Sequence, residues 1–95
     1  MSPEQEVWNA ERARQIIEDP LVVEALNELE KAATDNLEVC PINDVALRDR
    51  LWMLFCTTRR FRRTFLTMME TGKLAQAELN RQSLLQQAKQ AVWRR

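Results

Sequence analysis

Between Asp44 and Thr71, side chains of one kind recur every three or four positions: Leu47, Leu51, Leu54, Thr58, Phe61, Phe65, Met68 and Met69. At 3.6 residues per turn, that spacing places an almost unbroken apolar stripe along one side of an α-helix. A helix over 44–71 is roughly 42 Å long at about 1.5 Å per residue. A compact chain of 95 residues has a radius of gyration near 12 Å, hence a diameter of roughly 32 Å. The helix therefore overhangs its own globule. Apolar overhang needs cover, from a second copy or from a different protein.

The rest of the chain agrees with a helical body. One glycine and three prolines leave little turn material. A sandwich or barrel needs a turn roughly every 8–12 residues, so the expected fold is all-α. Ser2-Pro3-Glu4-Gln5 carries an N-cap, a first-turn proline and a capping-box glutamine, which starts a first helix at about 3–18. Val7, Ala10, Ala13 and Ile17 share one side of it, and Trp8 points away. Asp19-Pro20 repeats the cap-and-proline signal and starts a second helix over 20–36. There Leu21, Val22, Ala25, Leu26, Leu29, Ala32 and Ala33 face one way. Glu24, Glu28, Lys31 and Asp35 face the other, and Val23 falls on the polar side. Asn36 to Asn43 reads as a loop around Pro41, with Asn43 or Asp44 capping the third helix over 44–71.

Gly72 follows the stripe as a C-cap glycine would. Alternatively it sits within a longer rod, at a cost of about 1 kcal/mol against alanine. Beyond it, Leu74, Ala77, Leu84, Leu85, Ala88, Ala91 and Val92 mark a fourth helical segment, interrupted by Arg81 and rich in glutamine. The expected architecture is an antiparallel hairpin of the second and third helices with flanking N- and C-terminal helices. The body spans 1–75, and 76–95 form a C-terminal helix or extension. Leu51, Leu54, Phe61 and Phe65 are the expected core of the hairpin.

The formal net charge of zero conceals two opposite halves. Residues 1–40 hold ten acids and three bases, a net of −7, and residues 41–95 carry +7. Such a chain can fold one half on the other, stack on copies of itself, or show each half to a different partner. The densest basic feature is Arg59, Arg60, Arg62 and Arg63 around Phe61, fanned opposite the stripe. Guanidinium groups bind phosphates bidentately, so nucleic acid is one partner; an acidic helix face is the other. Overall neutrality counts against a dedicated nucleic-acid binder. Trp93 and Arg94, at the end of the chain, read either as the aromatic and arginine anchors found at protein interfaces or as a disordered end. Trp52, Met53 and Phe55 widen the stripe beyond one helix-facing side, which points to oligomerisation or to cover by the flanking helices.

Chemistry is harder to place. With no histidine, Cys40 and Cys56 have no neighbouring base to activate them. They lack metal or redox spacing and are expected as free, partly buried thiols. One glycine cannot build a phosphate-cradling loop. No catalytic, cofactor or metal site is expected. No apolar run reaches the roughly 18 residues of a membrane span, so no membrane contact is expected.

Arg48-Asp49-Arg50-Leu51-Trp52, Phe61-Arg62 and Glu70-Thr71-Gly72-Lys73-Leu74-Ala75, preceded by Glu18-Asp19-Pro20-Leu21-Val22, resemble small helical proteins of tailed bacteriophages encoded near DNA-packaging and head-assembly genes. The resemblance covers residues 18–75 and implies a role in the virion or its assembly. It places the protein in the host cytoplasm during assembly or in the virion. It implies contacts with copies of itself and with other phage structural proteins. A small nucleic-acid-binding protein and a phage-encoded inhibitor of a host protein are the competing expectations.

Overall fold

The computed structural model describes residues 1–93, which form three helices and, among these residues, no strand. The first, α1, spans Pro3–Ile17; α2 spans Pro20–Val39; α3 spans Val45–Trp93. Every helix start is set by the residue the sequence offers for it. Ser2 Oγ accepts from the Gln5 amide at 3.2 Å, while the Gln5 side chain turns away and donates to Asn9 Oδ1. Asp19 Oδ1 accepts from the Leu21 and Val22 amides at 2.9 and 3.3 Å. Asp44, not Asn43, caps α3 by accepting from the Leu47 amide at 3.1 Å. Each cap satisfies amides that would otherwise lack a partner in the first turn.

Two helix ends differ from expectation. The loop expected from Asn36 begins only at Cys40. Thr34 and Asn36 turn their side chains back onto carbonyls of the preceding turn, Asn36 Nδ2 onto Ala32 O at 2.7 Å. They decorate the helix instead of ending it. The stop comes from Pro41, which forces Cys40 into the extended region (φ −65°, ψ 130°).

The larger correction is at Gly72. It does not end the third helix, so there is no separate fourth one. Its φ is not positive, and α3 runs through it for 49 residues, about 74 Å. Gly72 is buried where α1 crosses α3. A Cβ there would overlap the Ala10 Cβ and lie 3.3 Å from the Glu6 carbonyl oxygen. The glycine is a point of close backbone approach, and Ala10, Ala13 and Ala75 continue the small-residue seam.

α1 therefore packs on the middle of α3, against the stretch from Met69 to Gln76. α2 packs on the half of α3 nearer the loop, where Leu26 meets Leu54, Thr58 and Phe61. α1 and α2 scarcely touch each other. The result is a rod 79 Å long and 25 by 16 Å across, with a radius of gyration of 21.7 Å. That radius compares with about 12 Å for a compact chain of this length. The described residues from 80 to 93 are exposed without exception, roughly 21 Å of bare helix.

Candidate interaction surface

The buried side of α3 takes only half of the stripe that spacing selects, Leu51, Thr58, Phe65 and Met69. Thr58, Gly72 and Ala75 are buried, and Leu51, Phe55, Arg62, Phe65 and Met69 are half-buried. From Leu51 to Gly72 these residues alternate steps of four and three, the seam that a packed neighbour requires. Of the expected core, Leu51 and Phe65 lie on this seam, but Leu54 and Phe61 do not. They belong to a second row, Leu47, Leu54, Phe61 and Met68, spaced seven apart and exposed to 38, 39, 48 and 42 %. The sequence provides apolar residues for two neighbours on adjacent sides of α3, and only one side is covered.

On α2 the same thing happens. Val22, Leu26, Glu30, Ala33 and Leu37 face α3, while Leu21, Ala25, Leu29 and Ala32 are exposed. Between the two helices lies an open groove of about 270 Å³ lined by Leu26, Leu29, Leu54, Thr57, Thr58 and Phe61. Next around α2 from this groove come Ala25, Ala32 and Leu21, and the acids Glu24, Glu28 and Asp35 lie on the far side of the helix. Lys31 pairs with Asp35, and that hydrogen bond raises the Lys31 pKa above its ordinary value.

The arginine cluster is divided. Arg62 turns inward, donating to Glu30 Oε1 at 2.8 Å and to Asn27 Oδ1 at 3.2 Å. It ties α3 to α2, with side chains 31 and 24 % exposed in the ion pair. Arg59 lies over the Phe55 ring, 5.4 Å from its centroid, and Phe55 stacks on Trp52 at 5.6 Å. Arg60 and Arg63 are exposed and, among the described residues, form no ion pair. One member of the cluster thus serves the fold, and two are left on the surface. Hydropathy gave no warning that Arg62 would sit on the buried seam. The signal was positional, because it falls four residues after Thr58 and three before Phe65.

Trp93 stands at the tip of α3, 88 % exposed. Arg94 lies outside the described residues. Trp8, which points away from the apolar side of α1, is exposed with the Arg12 guanidinium 5.4 Å from its ring centroid. Cys40 and Cys56 are free thiols, both half-buried.

Among the described residues no three His, Cys, Asp or Glu side chains gather as metal ligands. No described helix is long and apolar enough to cross a membrane. What this geometry offers is contact area: shallow apolar grooves edged by charge, suited to packing a helix. Comparison of the chain with protein-family models, curated proteins and solved structures gives no match.

Proposed function

We propose that this protein is an assembly element of a tailed phage that works by helix-mediated self-association, with contacts to other structural proteins. Within it, α2 and the first part of α3 act as an antiparallel hairpin that presents the exposed row. The phage setting rests on the sequence resemblance over residues 18–75. The self-association rests on a single observation, the surplus of surface. The chain exposes 7791 Å². A compact monomer of 11.2 kDa exposes about 5,700 Å². The surplus of about 2,000 Å² matches what a subunit hides in a sizeable homo-oligomer interface. Among the described residues only five apolar ones are buried, and no large side chain is fully enclosed. A second copy supplies the missing cover for Leu47, Leu54 and Phe61.

The test is the mass in solution by light scattering at micromolar concentration. A multiple of 11.2 kDa is expected. A monomer at 50 μM, on the order of a hundredfold above the dissociation constant of an ordinary specific interface, overturns the reading.

A further inference from the structure

One side of α3 gathers arginines around an exposed tryptophan. Arg48, Trp52, Arg59, Arg60 and Arg63 are all exposed. Counted along the helix, they fall within about 120° of arc and extend over roughly 22 Å. This side lies roughly opposite the row of Leu47, Leu54, Phe61 and Met68, and it is also turned away from the seam of Thr58, Arg62 and Gly72. We infer that it binds a single-stranded nucleic acid, with the arginines on phosphates and Trp52 against a base. The inference is independent of what covers the apolar row.

Three observations carry it. First, these cations stand apart from the others in the chain. Arg14, Lys31, Lys73 and Arg81 each pair with an acid three or four residues away on the same helix, and Arg62 pairs with Glu30 on α2. Among the described residues Arg48, Arg59, Arg60 and Arg63 form no such pair. Arg48 donates to the Ile42 carbonyl at 3.3 Å and keeps its charge. Asp49 shares this side and is the only acid between 45 and 69. Arg59 and Arg63 are four apart, and Arg60 and Arg63 three apart, spacings at which like charges destabilise a helix. A row of phosphates turns that repulsion into attraction. Second, the side is not only basic. Trp52 is 58 % exposed among the arginines. Phe55 stacks against it and carries the Arg59 guanidinium over its own ring, which steadies the indole. An acidic protein face would neutralise the arginines but set carboxylates against that ring. A single strand supplies both phosphates for the guanidiniums and an unpaired base for the indole. Third, the neutrality of the whole chain does not cancel this charge locally. Glu24, Glu28 and Asp35 lie on the side of α2 turned away from α3.

The test is the anisotropy of a fluorescent oligothymidylate of about 20 nucleotides, titrated with the whole protein across a salt series. Binding at low salt is expected. The logarithm of the affinity should fall against that of salt with a slope of about −3, since each of four neutralised phosphates contributes about −0.7. Arg59→Gln with Arg63→Gln is expected to weaken binding at least about tenfold and to flatten the slope by about 1.4. Trp52→Ala is expected to weaken it about tenfold with the slope unchanged. Arg12→Gln, an exposed arginine on α1, should change neither. Circular dichroism checks that helicity is kept; Arg60→Gln with Arg63→Gln replaces the first pair if it is not. No binding at low salt, a slope indifferent to the arginine pair, or an equal loss in Arg12→Gln overturns the assignment. So does a duplex that binds as tightly as the strand and is indifferent to Trp52→Ala. An arginine variant that loses oligomer mass but keeps its affinity for the strand shows that this side packs on protein instead.

Discussion

The two contacts that α3 makes within the chain are built on different principles. Against α1 it uses small residues, with Gly72 and Ala75 meeting Ala10 and Ala13 in close backbone approach. Against α2 it uses larger side chains and a polar clamp, Arg62 to Glu30 and Asn27, and leaves an apolar groove open alongside. The first contact hides most of what it brings to the interface. The second hides half and shows the rest. Close packing makes an interface that is complete in itself, whereas a clamp holds two helices in register while keeping their outer apolar rows free for something else.

The comparison breaks most sharply at Gly72. Replacing it with valine is expected to lose about 3 kcal/mol, because a branched side chain cannot enter where even a Cβ meets Ala10. Gly72→Ala is expected to lose less, since the alanine regains about 1 kcal/mol of helix propensity. Adding Ala10→Gly to Gly72→Ala should recover stability by emptying the space from the other side. Urea unfolding of the three variants measures this, and a stable Gly72→Val protein means that α1 does not sit where it is placed.

The clamp is the milder case. Glu30→Ala leaves a partly exposed Arg62 that water can still reach, so a loss of about 1 kcal/mol is expected, read in the same unfolding assay. A loss near that of Gly72→Val would show that the clamp, not close packing, dominates.

The smallest effect comes from acid. Hydrogen bonds from Arg14 and Arg81 hold the Glu11 and Glu78 carboxyls below their ordinary range. Their contribution is present above the ordinary carboxylate pKa and is lost as pH falls through the lowered values. Both groups are exposed, so acidification should lower the melting temperature only slightly, and salt should blunt the effect. A steep loss of stability between pH 5 and 3 would mean that these two pairs are not the source of the acid sensitivity.

How much of this was legible beforehand divides along the same line. Helix starts were readable because Ser2, Asp19 and Asp44 act locally, through their own side chains on amides two or three residues away. The all-α class followed from the scarcity of turn residues. The state of Gly72 was not decidable from its neighbours, because Ala10, the residue that requires the glycine, lies far away in sequence. The choice between the two rows of α3 was hidden for a related reason. Both rows are apolar, and the periodicity that identifies a helix does not say which side of it a neighbour will take. Asn36 misled because asparagine favours loops in general, yet here its side chain satisfies a helix carbonyl.

An uninterrupted α3 also fixes a distance. From its cap at Asp44 to Trp93 there is no proline and no break, so the turn around Pro41 and the indole at the tip are held about 74 Å apart. The helix works as a ruler. Seven residues removed near its exposed end shorten it by about 10 Å and restore the facing of every side chain beyond the cut to within about 20°. Three or four removed would shorten it about half as much and turn that far end by a large fraction of a right angle.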